Sequence, residues 1–278
     1  TMLSPDLTAD TIRRRQAAIE ELSSRTDLRI DFQSWGACSS ESPADSHLLE
    51  QLAALPRFGT GRLVHRLILA IPALYLVLVV LWLAGAIAGS VIVWPFIALL
   101  AVAGVLAKRV TRLQEQLNGA LASLSHYVRL FEMVEQNRFE SEWLGQLQRV
   151  CVDGHGSVSQ RVARLRRLLG NLDQRCNFVG FTVLNGFLLW DLRQLNALNR
   201  WLDENREQLP RWLDVLAQFD ALCSLATFRY NHPHYVFPRI VLDRRPVMQA
   251  EALGHPLIPR DRCVCNDVAP INEGSFQV

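Results

Sequence analysis

The sequence predicts a mainly α fold, in which a helical bundle with a two-helix transmembrane hairpin is followed by a short β-containing segment. Three observations support this prediction. The 41 residues from 67 to 107 contain no Asp, Glu, Lys, Arg or His. Apolar residues recur at helical spacing after this run. Six of the 12 prolines lie between 233 and 270, a density that helices do not tolerate. We therefore divide the chain into residues 1–66 (N-terminal part of the helical core), 67–107 (hairpin), 108–230 (helical core or lever) and 231–278 (β-containing segment).

Composition excludes several classes of protein. The chain has 278 residues, of which 50% are hydrophobic and 20% are charged, so a disordered chain is excluded. The net charge of +2 gives no general reason to expect nucleic-acid binding. The six cysteines show no paired zinc-ligand spacing, which predicts free thiols in a reducing compartment.

The charge-free run divides at residues 85–90 into two halves, each near the length that crosses a bilayer. Basic residues flank the run on both sides: Arg57, Arg62 and Arg66 before it, and Lys108, Arg109 and Arg112 after it. By the positive-inside rule, both flanks face the cytoplasm and the turn lies outside. The expected localisation is the cytoplasmic membrane, with the membrane as a partner. A buried hairpin in a water-soluble protein is the alternative.

The remaining first 230 residues carry helical patterns. One helix is expected within residues 2–55, with 12–22 as its body and a loop near 36–46. A seam between Val110 and Phe131 predicts a helix continuous with the second half of the hairpin. Further helices are expected from 158 to 172, from 181 to 206, and after Pro210. The helix at 158–172 has a basic stripe, which is either a solvated face or a phosphate contact: Arg161, Arg164 and Arg167.

After residue 227 the pattern changes to short strand-like pieces. These are residues 235–237, 240–242, 262–264 and 275–278. Cys263 and Cys265 would share one face of such a strand, which we interpret as a core face. His232 and His234 could be half of a metal site, but no third ligand is indicated, so no metal site is predicted. Because the chain ends in the pattern of a starting strand, we expect it to be truncated there.

No catalytic motif is present. The sequence lacks a Gly-x-x-x-x-Gly-Lys-Ser/Thr loop, a Gly-x-Ser-x-Gly elbow and a His-Glu-x-x-His pair. No catalytic residue is predicted, and this chain alone is not expected to be an enzyme.

The C-terminal segment nevertheless resembles a known family. Residues 251–258 (EALGHPLI), 264–268 (VCNDV) and 274–278 (GSFQV) are similar to the region that leads into the ATPase domain of MutS-family proteins. There, a His-Pro element and an Asn-Asp element precede the strand that delivers the P-loop. Residues 16–35, 168–191 and 209–226 resemble helices of the same family's core. No Phe-x-Glu mismatch-reading wedge occurs, and there is no room for the domain that carries it.

The resemblance implies a membrane-anchored, MutS-like DNA-repair-type ATPase without the mismatch-recognition domain. Residues 231–278 would then be the N-terminal edge of the ATPase domain, cut just before the P-loop. The full-length parent would use ATP and Mg, dimerise through its ATPase domain and possess a DNA-binding surface. In the family, the segment matching Val264 to Asp267 lies beside the adenine. The resemblance therefore implies that Asn266 and Asp267 lie near the nucleotide and that His255 helps to shape the same region. The alternative is that Asn266 and Asp267 only form a turn.

Three functions follow. The chain is the non-catalytic lever and membrane part of an ATP-driven mechanical protein, which predicts a P-loop directly downstream. Alternatively, it is a membrane-anchored helical scaffold or interaction protein with no ATPase activity. A third possibility is a tethered DNA-binding module that uses the arginine stripe, with steeply salt-dependent binding.

Overall fold

The computed structural model describes residues 8–39, 62–154, 156–173, 178–241 and 247–272. Within them the helices are α1 (Ala9–Ser24), α2 (Thr26–Ser39), α3 (Arg62–Leu83), α4 (Ser90–Gln136), α5 (Glu142–Cys151), α6 (Val158–Asp173), α7 (Phe178–Leu188), α8 (Trp190–Asn205) and α9 (Leu209–Asn231). The strands are β1 (Val152–Asp153), β2 (Gly156–Ser157), β3 (Val247–Leu253) and β4 (Asn266–Asn272). The chain divides into two compact units, Ala17–Asn231 and a second made of Thr1–Gln16 with His232–Val278.

The predicted transmembrane hairpin at residues 67–107, and with it the predicted location in the cytoplasmic membrane, is wrong. None of the helices in the described ranges combines the length and the apolar character needed to cross a membrane. The charge-free run instead contributes side chains to packing within the chain. Tyr75 on α3 is 4% exposed, and its ring lies 5.2 Å from the ring of Phe187 on α7. The ring of Phe96 on α4 lies 4.8 Å from the same Phe187 ring. The apolar side chains of a charge-free run can pack against other helices as well as they can face lipid.

Helix α4 continues without a break from the turn after α3 into the charged sequence that follows. Its 47 residues include Pro95 and extend to Gln136, so the predicted continuity through residue 107 is confirmed. At 1.5 Å per residue, the helix is about 70 Å long. It packs against α2, α6 and α7. Side chains of the predicted seam between 105 and 124 lie outside the described residues, whereas Phe131 and Val134 are fully buried.

Side chains fix the C-terminal end of α4 to the helices that follow. Gln148 Nε2 donates to the carbonyl oxygen of Val134 at 3.0 Å, which satisfies an acceptor near the end of α4. Glu135 accepts hydrogen bonds from the Ser159 amide (2.9 Å) and from the Ser159 hydroxyl, at the start of α6. Glu21 on α1 accepts from the Ser141 amide at 2.7 Å, at the start of α5. Carboxylates at helix N-termini pair with unsatisfied amides and with the positive end of the dipole.

The helix predicted from 181 to 206 is divided in two by Leu189. Its φ and ψ of 49° and 45° are left-handed, a conformation that ends α7 and begins α8. The Asn185 side-chain oxygen accepts a hydrogen bond from the Asp191 amide at 3.0 Å and so caps the new helix. Both side chains are 1% exposed. Apolar periodicity continues across this break, so it could not reveal the interruption.

The other helical predictions agree more closely. Pro210 lies in the first turn of α9, as expected. Trp201, Trp212 and Phe219 are buried. The expected N-terminal helix, with its body at 12–22, is α1, whereas α2 is an additional helix that includes residues 36–39 of the expected loop. Residues 40–46 of that loop lie outside the described residues.

The second unit contains an antiparallel pair, β3 and β4, with Leu253 opposite Asn266 and irregular register along the ladder. Arg13 and Gln16 of α1 donate to the carbonyl oxygens of Ile240 and Pro238, at 3.3 and 3.0 Å. The predicted strands at 235–237, 240–241 and 262–264 are irregular or turn segments. Residues 242 and 275–278 lie outside the described residues. β-Branched runs indicated extended backbone but not which segments pair.

Candidate functional site

The three residues predicted to lie near a nucleotide all belong to the β3–β4 hairpin. Asp267 Oδ1 accepts a hydrogen bond from the Ala252 amide at 2.7 Å. Ala252 has a φ of 50°, in the left-handed region that non-glycine residues rarely adopt. The carboxylate therefore stabilises a strained position opposite it in the ladder. Asp267 acts here as a positioning residue, and this bond occupies one of its oxygens.

His255 lies in the connection between the two strands. Its Nδ1 accepts a hydrogen bond from the Leu257 amide at 3.2 Å, and its carbonyl oxygen accepts from the Ile258 amide at 3.1 Å. A ring nitrogen that accepts from an amide is unprotonated, so in the neutral ring the proton is on Nε2. The side chain is exposed. His255 can therefore donate one hydrogen bond from Nε2 to a ligand.

Asn266 is the first residue of β4 and is exposed. Its side-chain amide offers one acceptor and two donors, and this pair of groups matches the N6 and N7 edge of adenine. The hairpin thus brings together an exposed amide, a histidine donor and a carboxylate that holds the backbone. A purely turn-forming role for Asn266 and Asp267 does not fit, because both begin a paired strand.

The predicted arginine stripe lies on α6, in the other compact unit. Arg161 is used within the fold: its Nη2 donates to the Gly156 carbonyl oxygen at 3.2 Å, and its guanidinium lies 5.6 Å from the centre of the Trp212 ring. Arg164 is exposed and lies 3.9 Å from a carboxylate oxygen of Glu204. Arg167 is exposed. Of the three stripe residues, Arg164 and Arg167 are exposed, and a phosphate contact there stays a prediction.

Metal binding has no support in the described residues. No group of three or more His, Cys, Asp or Glu side chains among them is arranged to hold a metal ion. His232 instead stacks on Tyr235, with ring centres 4.9 Å apart.

Sequence reasoning missed the most unusual buried charge. Arg29 on α2 is 3% exposed. It donates to the Thr227 hydroxyl at 2.6 Å and to the Ser23 carbonyl oxygen at 3.2 Å, and its guanidinium lies 5.2 Å from the centre of the Tyr230 ring. These partners belong to the last turns of α1 and α9, where the helix dipoles are negative. A single arginine in an amphipathic segment carries no signal of this role.

Sequence reasoning also misplaced Cys263 and Cys265. The core-face interpretation is wrong, because Cys265 is exposed and Cys263 is only partly buried. Turns closed by the amides of Ile258 and Arg262 precede them, and residues 263–265 are not a strand.

Comparison with protein-family models, with curated proteins and with solved structures finds no match, so the resemblance to the MutS family stays a prediction drawn from the residues alone.

Proposed function

We propose that this chain is the helical lever and the nucleotide-adjacent edge of a MutS-like ATPase, and that it couples ATP binding to movement of its long helix. The chain has no P-loop, so the phosphates and Mg would be held by residues outside it. ATP bound there would supply the free energy for the movement.

The observation that carries the lever proposal is the continuity of α4. A helix of 47 residues transmits a displacement along its axis when one of its ends is firmly attached to the part of the protein that moves. Gln148 and Glu135 tie the C-terminal end of α4 to α5 and α6. The remote end, near residue 90, follows only a short turn after α3. Movement of the tied end would therefore be carried over most of the length of the helix.

The nucleotide-adjacent part of the proposal depends on Asn266. Its exposed amide suits the adenine edge, and Asp267 supports the backbone beside it. A bidentate amide–adenine contact contributes about 1–3 kcal/mol of discrimination. Asn266→Ala, made in the protein with its natural continuation, should therefore weaken ATP binding about tenfold, measured with a fluorescent ATP analogue. Gln249→Ala, at an exposed position on β3, is the matched control and should leave affinity unchanged.

The decisive first experiment is to read the parent coding sequence for about 50 codons beyond Val278. The proposal predicts a Gly-x-x-x-x-Gly-Lys-Ser/Thr sequence there. An immediate stop codon would overturn the ATPase proposal.

Coupling is then tested by breaking α4. Ala120→Pro interrupts the helix, whereas Ala120→Gln, at the same position, preserves it. We expect both proteins to hydrolyse ATP. Nucleotide-dependent hydrogen exchange in residues 62–104 should disappear only in the proline variant. Equal nucleotide responses in the two variants would contradict the lever.

A second candidate function, an interaction protein without ATPase activity, is favoured by exposed apolar side chains on α3 and α4. Leu76, Leu83 and Trp94 are 68%, 73% and 72% exposed. Contiguous apolar surface of this kind marks interaction sites. Self-association that is abolished by Leu76→Lys with Trp94→Lys, but not by Leu257→Lys on the β3–β4 hairpin, would support it. A monomeric wild-type chain in light scattering would count against it.

A further inference from the structure

Two thiols in the β3–β4 hairpin converge on one backbone position. Cys263 is partly buried and Cys265 is exposed. A Cβ added at Gly254 would lie 2.9 Å from Cys263 Sγ and 3.0 Å from Cys265 Sγ. The first distance is shorter than real Cβ atoms show, and the second is tighter than nine in ten real Cβ contacts. The two sulfurs therefore occupy the space above a glycine that has no side chain, close to the same point.

This pair differs from the other described cysteines. Cys151 and Cys223 are 0% exposed, and burial raises the pKa of each thiol to about 12. These two are chemically inert in the folded chain. At Cys265, loss of hydration and then the adjacent Cys263 thiol raise the pKa, while Arg260 opposes the change. The hairpin thiols are thus more accessible than Cys151 and Cys223, and the raised pKa of Cys265 slows its reaction with an oxidant.

We propose that Cys263 and Cys265 form a reversible disulfide when the protein meets hydrogen peroxide. The thiolate of one cysteine attacks a peroxide oxygen, the O–O bond breaks, and water leaves after protonation, which gives a sulfenic acid. The second thiol then displaces the sulfenic hydroxyl as water and forms the S–S bond. In total, two thiols lose their hydrogens and the peroxide is reduced to two waters. A small dithiol restores both thiols by exchange. This chemistry does not depend on the proposed ATPase function.

The position of the pair gives the disulfide a structural consequence. It would close a small ring immediately before Asn266, where β4 begins. The sulfurs also lie next to the backbone that connects β3 with His255. Oxidation would therefore stiffen the connection that carries the exposed residues of the hairpin.

The sequence allows a direct test. Trypsin cleaves after Arg262, and no Lys or Arg lies between Cys263 and Val278, so one tryptic peptide that begins at Cys263 contains both cysteines. Folded protein is treated with one equivalent of hydrogen peroxide, alkylated, digested and analysed by mass spectrometry. We expect this peptide to lose two hydrogen atoms, to resist alkylation, and to recover after treatment with dithiothreitol.

Three variants test the mechanism. Cys263→Ser and Cys265→Ser should each stop at a sulfenic acid that dimedone traps. Gly254→Ala should slow disulfide formation by at least about tenfold, because its Cβ displaces the sulfurs from their common position. A wild-type peptide that stays reduced, or disulfides that instead link Cys263 or Cys265 to another chain or to Cys38 or Cys176, would overturn the proposal.

Discussion

Replacing Arg29 with methionine tests whether the buried cation stabilises two helix ends. The change keeps an unbranched apolar stem but removes the guanidinium, with its charge and its donors. The Ser23 carbonyl oxygen would lose a buried donor, which costs about 1–3 kcal/mol. The Thr227 hydroxyl would still donate to the Cys223 carbonyl oxygen, so losing the Arg29 donor costs less stability there than at Ser23. The ring contact with Tyr230 adds about 1 kcal/mol.

One term opposes these losses. Arg29 Nε is buried with no hydrogen-bond partner among the described residues, so the wild-type chain already tolerates some desolvation cost. Removal of the cation relieves that cost. We therefore expect a net loss of about 2–3 kcal/mol in the free energy of unfolding, which is about 4–10 °C in Tm for a chain of this size.

The assay is urea unfolding followed by circular dichroism, with Arg129→Met as the matched control. Arg129 is about half exposed and pairs with Glu132 at 3.2 Å on the surface of α4. Such a pair contributes about 1 kcal/mol at most. If Arg29→Met were as stable as the wild-type protein, the desolvation cost of the cation would equal the stabilisation from its contacts, and the reasoning would be refuted.

Three further predictions concern other positions. Gly186→Ala should cost about 1–3 kcal/mol, because the new Cβ would overlap the ring of Phe96. Gly145→Ala, with nothing within 4 Å, should instead stabilise its helix by about 0.5–1 kcal/mol in the same unfolding assay. Because the pKa of Cys151 is raised, the unfolded chain releases the thiol proton from about pH 9 and the folded chain only near pH 12. The free energy of unfolding should therefore fall with rising pH across that interval, and fall less steeply in Cys151→Ala; equal slopes would contradict this. Asp267→Ala should release the strained Ala252 and speed exchange of its amide hydrogen at least about tenfold, and unchanged exchange would show that the carboxylate does not hold it.

The comparison of sequence with structure differs from element to element. Helices with a clean apolar stripe, such as α6, and the proline at the start of α9 were predictable, because period and capping are local properties. The break at Leu189 was not, because the apolar period continues through it and the left-handed conformation of a leucine leaves no mark in the sequence. The strands were predicted at the wrong segments, because propensity marks extended backbone, whereas pairing depends on contacts such as the one between Asp267 and Ala252.

The candidate site shows the same division. His255, Asn266 and Asp267 were selected by resemblance, and their close grouping in one hairpin follows from chain proximity. Their distinct chemical roles became visible only from hydrogen bonds. Arg161 belongs to the same arginine stripe as Arg167, yet it is engaged with Trp212 and a backbone carbonyl. A helical pattern places side chains on one face but does not show what that face meets.

By itself, the sequence determined the mainly helical character, the helical continuity through residue 107, and the absence of a P-loop from this chain. It could not determine what the charge-free run contacts, because lipid and a neighbouring helix both select apolar side chains. Only the tertiary structure decided that Tyr75 and Phe96 meet Phe187, that Arg29 joins two helix ends, and that two cysteines meet above Gly254. The physical reason is that periodicity records the polarity of a surface, whereas contacts between residues distant in sequence depend on how those surfaces pack.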